Sequence, residues 1–572
     1  MTFNVVIKNG HVIDGTGNTW FKADLGIKNE KIEGISYKEL ENGDQVIDAS
    51  GLVICSGFIN PHSHSDGSIL YHKNAENCLS MGVTTELTGQ CGNSMAPIKE
   101  SFKKPTSATI RRRLCPLDEP VNWLTHKEWL DEINRRGTGI NIAPLVGHGT
   151  LRGSVMGVEG EGGERLVPTG DELDEMKGML RQAMSEGGFG LSTGLNYAPG
   201  RNALTSEVVE LAKVASEYGG VYASHMRCEG DLLLEATREF IEICETAGVR
   251  GIISHHKASG SGNYGKASET IRMVDRARAK GVNVIIDLYP WRFGGTIKSL
   301  GTRFLPTDPT KKAPSQREAL LKQLKDDKLW GKLKASAIEQ RDKEIEAYKK
   351  RHEGMLKLGG WATEPYAMDT SGTILYSPSH PELERKSLDE VAKFYGVEDI
   401  WEAIRRILID DDGKTVAGAE PYSEDDIKTI LTYPWTTVST DQYAFDTSKT
   451  QQSLAFDALG TQHPRGWGTY PKILGKYVRE ENILSIEEAV RKMTSLPATF
   501  LGLWNRGLVR EGFFADLVVF DPKTIANKAN YSNPQVPPEG IKFVFVNGEI
   551  AVSDGKLTGS LTGKTLRLGK NE

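Results

Sequence analysis

Two histidines one residue apart, His62 and His64, follow a short apolar run and are the first residues whose types and spacing indicate chemistry. The run, Leu52 to Cys55, has the composition of a strand. In an extended chain alternate side chains face the same way, so both imidazoles are expected to point to one side and Ser63 to the other. Two imidazoles aimed at one point favour a divalent metal of the zinc type. The alternative is a polar strand end with two surface histidines.

Other residues of metal-ligating type follow later apolar runs. They are Cys91, His225, His255 and Asp441. With the two histidines they are too many for one tetrahedral ion, but they suit two adjacent ions that share a ligand. Taken singly, the cysteine could be an inert buried thiol, the histidines hydrogen-bonded core side chains and the aspartate a loop cap. His256 follows His255 directly, and because adjacent strand residues face opposite sides, periodicity alone does not choose between them.

Strand and helix patterns alternate through the middle of the chain and would position these residues. Seven apolar runs, separated by helical patterns, follow the run before His62, and they begin at residues 82, 140, 188, 221, 251, 282 and 436. Repeated strand–helix units form parallel sheets, and eight of them predict an α/β fold with a (β/α)8 TIM-type barrel. The candidate ligands follow the carboxyl ends of these strands, where barrel enzymes place their chemistry.

The two ends of the chain have a different pattern from the middle. Short strands split by Gly-rich or polar turns predict a small β-sandwich domain built from residues 1–57 and 500–572. Residues 58–499 would then form the inserted barrel. Within them, the segment at about 303–400 carries charge-rich helical stretches. We interpret it as a helical insertion near the barrel mouth that supplies a lid or a subunit contact, the latter in a homo-oligomer.

Composition narrows the class of protein. The 572 residues are 38% hydrophobic and carry a net charge of -6, which argues against a general nucleic-acid or membrane-surface role. The start, Met1 to Lys8, has the pattern of an amphipathic strand and not of a signal peptide, and no stretch reaches the apolar length of a membrane span. The six cysteines form no CxxC pair, which favours reduced thiols in the cytoplasm. No nucleic-acid or membrane partner is therefore expected.

The ordered set of motifs resembles the amidohydrolase superfamily, and within it the N-acyl-D-amino-acid deacylase (D-aminoacylase) family. The resemblance covers nearly the whole chain and is carried by residues 61–66, 89–94, 190–200, 224–227, 254–257, 287–290, 463–471 and 494–520. It implies one or two zinc ions per chain. One site would use His62, His64 and Asp441, and the other Cys91, His225 and His255.

The resemblance also selects between alternatives that the residues alone leave open. It favours His255 over His256 as the ligand. Many amidohydrolases bridge their two metals with a carboxylated lysine on the fourth strand, but residues 188–194 contain no lysine. The thiolate of Cys91 would take its place, as in the deacylase branch.

The implied reaction is hydrolysis of the amide bond of an N-acyl amino acid, D-configured in this family, by a metal-activated hydroxide. Asp441 would act as general base and deliver the proton to the leaving amine. Arg465 would grip the substrate carboxylate bidentately, helped by Lys257 and the hydroxyl of Tyr289. The alternative for Arg465 is a salt bridge that stabilises a loop.

Three positions depart from the family pattern. Asn60 stands where Asp is usual, Gln442 where Gly is usual and Trp291 where a second Tyr is common. These departures concern the substrate pocket more than the metals. An amidase of the same superfamily that acts on a cyclic or non-acidic amide is therefore an alternative, and a non-catalytic scaffold protein is a more remote one.

Overall fold

The computed structural model describes residues 2–41, 43–112, 121–157, 165–294, 298–301, 313–362, 372–418, 422–448 and 463–569. This part of the chain contains four hydrogen-bonded sheets. The helices are Ser65–Ser68, Glu76–Ser80, Lys103–Arg112, His126–Arg136, His148–Met156, Gly170–Ser185, Thr205–Glu217, Leu233–Ala247, Ala267–Ala279, Ala313–Lys325, Asp327–Lys357, Leu388–Tyr395, Ile400–Asp410, Glu424–Thr432, Arg465–Lys472, the π-helical Ile473–Glu480, Ile486–Met493 and Ser495–Leu501. Single 3₁₀ turns span Glu100–Phe102, Gly200–Asn202, Ser261–Asn263 and Pro381–Leu383.

Two parallel sheets form the centre. The six-stranded sheet has the order Thr436–Val438, Val284–Leu288, Arg250–Ile253, Val221–His225, Gly190–Gly194 and Val146–Gly147. The three-stranded sheet has the order Phe58–Asn60, Val83–Thr88 and Asn141–Pro144. Every pairing in these two sheets is parallel, so their strands end at a common edge.

Backbone hydrogen bonds also join the two parallel sheets to each other at both ends. At one end Phe189 N donates to Pro144 O over 2.8 Å, and at the other Asp441 N donates to His62 O over 2.9 Å. The α/β class with parallel strand–helix units is thereby confirmed. The closed eight-stranded barrel stays a prediction.

Alternate strand residues pack on opposite sides of the parallel sheets. Ile59, Ala223 and Ile285 belong to a buried cluster in which half of the residues lie on the parallel strands. Tyr222 and Ile286, each adjacent to one of these, pack in the larger cluster that contains the helices. Helices therefore cover one side of the strands, and strand side chains fill the other.

The helices over the sheet begin at sequence-encoded caps. The Thr169 hydroxyl accepts from the backbone N–H of Glu172, and the Glu172 carboxylate accepts from the backbone N–H of Thr169, which starts the helix Gly170–Ser185. The buried residues of this helix are Met176, Leu180, Ala183 and Met184. Their spacing places them on one face, which packs in the large cluster and leaves the polar face to solvent.

A nine-stranded sheet contains strands from both ends of the chain. Its main path is Lys556–Leu557, Glu549–Ser553, Ile541–Val546, Leu517–Phe520, Val53–Ser56, Phe3–Ile13, Phe21–Lys28 and Lys31–Ser36, and Gly43–Asp48 pairs with Phe3–Ile13. The sandwich arrangement of these strands, and the domain bounds, stay predictions.

The structure corrects one strand assignment. The run Leu52 to Cys55 was expected to be the barrel strand before His62, but Val53–Ser56 pairs in the terminal sheet. Gly57 N donates to Asp516 O in that sheet, and Phe58 N donates to Gly82 O in the central one. The strand that leads to His62 is therefore the shorter Phe58–Asn60. A short apolar run predicts a strand but carries no information about its partner.

A separate hydrophobic cluster surrounds the fourth sheet, which has three antiparallel strands. This sheet contains Lys298–Ser299, Thr373–Tyr376 and Val416–Gly418. Leu324, Trp330 and Ile404 are among the residues of its hydrophobic cluster, to which the 31-residue helix Asp327–Lys357 contributes. The helices Ala313–Lys325 and Asp327–Lys357 lie within the predicted insertion, whose role as a lid or a subunit contact stays a prediction.

The described cysteines are all free thiols, and Cys115 lies outside the described residues. Among the helices described, none combines the length and the apolar character needed to cross a membrane.

Candidate active site

Six side chains of metal-ligating type meet at the carboxyl edge of the parallel sheets. Each follows a strand, or is the last residue of one, and the parallel direction of the strands brings their ends together. The six are His62, His64, Cys91, His225, His255 and Asp441. In three overlapping groups of three, the ligand atoms lie within 4.8 Å of one another. The structure thus brings together every ligand predicted from the sequence.

Cys91 lies in the middle of this cluster. Its Sγ is 3.4 Å from His62 Nε2 and 3.5 Å from His255 Nε2. His225 Nδ1 is 2.9 Å from His255 Nε2. Ligand atoms on one tetrahedral zinc ion lie about 3.5 Å apart, given bond lengths of about 2.0 to 2.3 Å. The sulfur is therefore placed to bind a metal together with His62 and also a metal together with His255.

Asp441 completes the cluster on the side of the HxH pair. Its Oδ1 is 3.0 Å from His64 Nε2 and 3.5 Å from His62 Nε2. His256, by contrast, turns away, since its Nε2 lies 2.7 Å from Thr270 Oγ1 on a helix. The donor set of imidazole, thiolate and carboxylate fits zinc. The division of the ligands between two sites stays a prediction.

Three of the candidate ligands have left-handed backbone conformations. The φ angles are +54° at Cys91, +35° at His255 and +48° at Asp441. Such conformations are unfavourable for residues with a Cβ and typically cost about 1–3 kcal/mol each. Hydrogen bonds hold two of these turns, because His255 N donates to an Asp287 carboxylate oxygen over 2.8 Å and Asp441 N donates to His62 O. The turns aim the side chains at one point.

Electrostatics in the cluster favour a thiolate. Burial raises the pKa of the Cys91 thiol, but the neighbouring imidazoles of His62, His225 and His255 hold that pKa well below its usual range. For His62, burial lowers the pKa of the imidazole, and Asp287 and Cys91 raise it well above its usual value. A deprotonated sulfur is the form that binds a metal.

Asp287 contacts a candidate ligand, and the sequence alone assigned it no role although it lies in one of the motifs. Its Oδ2 lies 3.3 Å from His62 Nδ1, and its Oδ1 accepts from Ser439 Oγ over 2.6 Å. A carboxylate on the second nitrogen of a ligating histidine fixes the tautomer and the ring orientation. The signal in the sequence was its position at the end of the strand Val284–Leu288.

Glu229 is a second carboxylate beside the ligands, and the sequence alone did not identify it. Its Oε1 lies 2.6 Å from Lys257 Nζ and 2.9 Å from His255 Nδ1. Lys257, predicted to bind substrate, is thus held by a carboxylate and lies 2.9 Å from His255 Nδ1. Glu229 follows His225 in a loop, and no periodicity marked it. Burial raises the pKa of Glu229, but the charges of Lys257, His225 and His255 lower it by more. The net pKa is therefore below its usual value, and the carboxyl stays ionised.

Arg465 lies beside Asp441 at the first turn of the helix Arg465–Lys472. Its Nη1 is 2.8 Å from Asp441 Oδ2, and its guanidinium carbon is 4.7 Å from the centre of the Tyr289 ring. His463 Nδ1 accepts from Arg465 N over 3.0 Å. The Nε and Nη1 of Arg465 are buried and have no hydrogen-bond partner in the described part of the chain, although Nη1 is in ion-pair contact with Asp441. N–H donors of the guanidinium therefore remain for an acceptor from outside the protein.

Gln442 and Trp291, which depart from the family pattern, flank the helix of Arg465. The backbone oxygen of Gln442 accepts from His64 N over 2.9 Å. Trp291 Nε1 donates to Thr469 Oγ1 over 3.1 Å. Both residues are buried beside the cluster, so both help to shape the space next to Arg465.

Comparisons with known proteins reveal relatives that match nearly the whole chain. The amidohydrolase family model matches residues 379–552. A D-aminoacylase of Alcaligenes xylosoxydans xylosoxydans is 30% identical over 568 residues, which are 99% of this chain and 97% of that protein. A solved D-aminoacylase, studied for its binuclear metal centre, is 30% identical with a TM-score of 0.72, covering 99% of this chain and 100% of that one. N-acyl-D-glutamate deacylase from Bordetella bronchiseptica, complexed with zinc and a phosphonate inhibitor, is 29% identical with a TM-score of 0.73 and the same coverage.

We expect Glu229→Gln to destabilise the metal-free protein, because it leaves the buried ammonium of Lys257 without its carboxylate. Removing one member of a buried ion pair typically costs about 3–5 kcal/mol. Thermal unfolding after dialysis against a chelator measures the effect. Glu339→Gln, at an exposed glutamate paired with Lys343, is the matched control and should not shift the midpoint measurably. Equal midpoints for both variants would show that Lys257 does not depend on Glu229.

Proposed function

Since the chain belongs to the D-aminoacylase family of the amidohydrolases, we propose that it is a zinc-dependent hydrolase that cleaves the amide bond of an N-acyl-D-amino acid. The observation that carries this proposal is the meeting of three elements in one buried place. They are the cluster of six candidate ligands, the carboxyl of Asp441, and a guanidinium that retains a free donor. A small-molecule amide is the partner.

The metal would be held by the six residues of the cluster. His62, His64 and Asp441 form one predicted site and Cys91, His225 and His255 the other, with the Cys91 sulfur close enough to His62 to serve both. When bound, zinc supplies a water of lowered pKa and polarises a carbonyl oxygen. The carboxylates behind the ligands orient them, since Asp287 contacts His62 and Glu229 contacts His255.

Asp441 is the residue we assign as general base. Burial raises the pKa of its carboxyl, but Arg465 and His64 hold that pKa well below its usual range. It is therefore a carboxylate at neutral pH and can accept a proton from the attacking water. The same proton is then available for the nitrogen of the leaving amine.

Arg465 is the residue we assign to the carboxylate of the substrate. Its Nε has no partner in the described chain, and the ring of Tyr289 lies against the guanidinium. A planar guanidinium can hold both oxygens of a carboxylate, which a lysine cannot do. Lys257 lies nearby with its ammonium over the Tyr289 ring at 5.5 Å, but Glu229 already neutralises it. Lys257 is therefore the weaker of the two anion-binding groups.

One observation favours a second candidate function, hydrolysis of an amide that carries no acid group. The charge of Arg465 is already paired with Asp441, so a substrate without an acid group would leave no cation unpaired. A cyclic or non-acidic amide fits that arrangement. Comparing hydrolysis of an N-acetyl-D-amino acid with that of a hydantoin and a dihydroorotate separates the two candidates. If the protein binds no zinc and hydrolyses none of these three substrates, it is the non-catalytic scaffold protein.

The proposal extends to the architecture. We assign the two parallel sheets to one closed (β/α)8 barrel spanning about residues 58–499, in which Asn141–Pro144 and Val146–Gly147 count as one strand, with a small β-sandwich domain from 1–57 and 500–572. Support comes from the hydrogen bonds at both junctions of the sheets and from the parallel bridge between Ser63 and Gln442. The helices at about 303–400 would then lie near the mouth of the barrel.

Cys91→Ala should lose bound zinc and activity together, because the sulfur contacts histidines on both sides of the cluster. Metal analysis of the purified protein and a turnover assay measure the two effects. Cys228→Ala, at a half-buried cysteine with a protonated thiol, is the matched control and should keep both properties. Full zinc content and normal turnover in Cys91→Ala would remove this cysteine from the site.

Asp441→Asn should lower turnover by ~10²–10⁴-fold, the usual contribution of a general base, because an amide cannot accept the proton. The isosteric amide keeps the size of the side chain. Circular dichroism and zinc content, measured on the same sample, separate loss of the base from loss of fold or metal. Near-normal turnover at neutral pH would exclude Asp441 as the base.

Arg465→Lys should impair hydrolysis of an N-acyl-D-amino acid by ~2–5 kcal/mol in kcat/KM, the usual effect of misaligning a buried charge pair. It should impair the corresponding amide, which lacks the free carboxylate, much less. Specificity constants for both substrates in both proteins test this expectation. Equal losses on the two substrates would show that Arg465 serves Asp441 or the loop and not the substrate.

A further inference from the structure

A buried polar pair lies behind the candidate ligands and touches none of them through a ligating atom. Asn60 and Glu86 face each other across the neighbouring parallel strands Phe58–Asn60 and Val83–Thr88. Their exposed fractions are 0% and 1%, and Asn60 Nδ2 donates to Glu86 Oε1 over 2.8 Å. The described residues provide no Lys, Arg or His in ion-pair contact with Glu86.

Asn60 connects two strand ends that carry candidate ligands. Its Nδ2 also donates to Thr440 Oγ1 over 2.7 Å, and its Oδ1 accepts from Thr440 N over 3.0 Å. The same Oδ1 accepts from His62 N over 3.3 Å. One amide side chain thus holds the backbone of His62 against the residue that precedes Asp441.

Glu86 holds the residue between the two histidines. Its Oε2 accepts from Ser63 Oγ over 2.8 Å, and its Oε1 lies 3.4 Å from Cys78 Sγ on the preceding helix, Glu76–Ser80. Ser63 Oγ in turn accepts from Ser65 N over 3.1 Å. The HxH segment is therefore anchored at Ser63, on the side opposite to the imidazoles.

The chemistry of position 60 requires both a donor and an acceptor. An asparagine amide donates to a carboxylate through one atom and accepts from backbone N–H groups through the other. An aspartate of the same shape would place a second carboxylate 2.8 Å from that of Glu86 and would remove the N–H that Asn60 donates to Glu86 Oε1. The pair is therefore matched, since the identity of one residue sets that of the other.

We propose that Asn60 and Glu86 are positioning residues that set the separation between the HxH pair and Asp441, and hence the affinity for zinc. This inference rests on the proposed function, because it takes His62, His64 and Asp441 as ligands. None of the hydrogen bonds described for Asn60 and Glu86 involves Arg465, Lys257 or Tyr289, so we expect neither residue to affect substrate affinity.

Exchanging the amide and the carboxyl group between positions 60 and 86 tests the proposal. Asn60→Asp should weaken zinc binding and lower kcat by roughly ten- to hundred-fold, the usual effect of losing a partner that orients a ligand, with KM unchanged. Adding Glu86→Gln to it should restore both properties, because the glutamine supplies the donor that the aspartate lacks. Glu86→Gln alone should change them little, because its oxygen can still accept from Asn60. The zinc dissociation constant is measured by competition with a chelating dye, below the unfolding transition of each variant.

A second variant keeps the test informative if Asn60→Asp does not fold. Thr440→Val removes the hydrogen bond from Asn60 to the Thr440 hydroxyl, keeps the one from Thr440 N, and leaves the pair with Glu86 intact. It should therefore weaken zinc binding in the same direction, by less than Asn60→Asp. Unchanged zinc affinity and kcat in folded Asn60→Asp or in Thr440→Val, or no recovery in the double variant, would overturn the proposal. A wild-type protein that binds zinc but hydrolyses no N-acyl-D-amino acid would instead overturn the proposed function, and the zinc measurements would still judge the pair.

Discussion

The carboxyl groups of Asp441, Glu229 and Asp287 lie away from water, and each contacts an imidazole or a cation. Charge that is removed from water costs several kcal/mol unless an opposite charge and hydrogen bonds compensate it. Asp441 contacts Arg465 and Glu229 contacts Lys257, so a neighbouring positive charge compensates each of these buried carboxylates. These pairs join residues from separate segments of the chain, so the charges are compensated only when those segments meet.

This dependence also limits what a substrate can do in the site. Arg465 is paired with Asp441, and Lys257 is paired with Glu229. A substrate carboxylate would share Arg465 with Asp441, so its binding would reduce the charge that stabilises the base. With the roles proposed for Arg465 and Asp441, substrate recognition and the basicity of Asp441 would be coupled through one guanidinium.

Left-handed backbone conformations occur at the same edge. Cys91, His255 and Asp441 have positive φ angles, each in the turn that immediately follows a parallel strand. Such turns persist only where the surroundings hold them. Here Asp287 holds the turn of His255, while Asn60 and the backbone of His62 hold that of Asp441. The helices and the terminal sheet stabilise the strands, and the strands keep these turns in place.

The sequence by itself determined the α/β class and the identity of the candidate ligands. The order of strand-like runs predicted that the candidate ligands meet, because parallel strands end at a common edge, while the choice of His255 over His256 came from the resemblance to a family. The pairing of Val53–Ser56 with the terminal sheet could not be predicted, since an apolar run does not name its partner. Only the tertiary structure placed Glu229, Asp287 and the Asn60–Glu86 pair in the site. Their contacts join residues from different strands and loops, and such contacts have no periodicity along the chain.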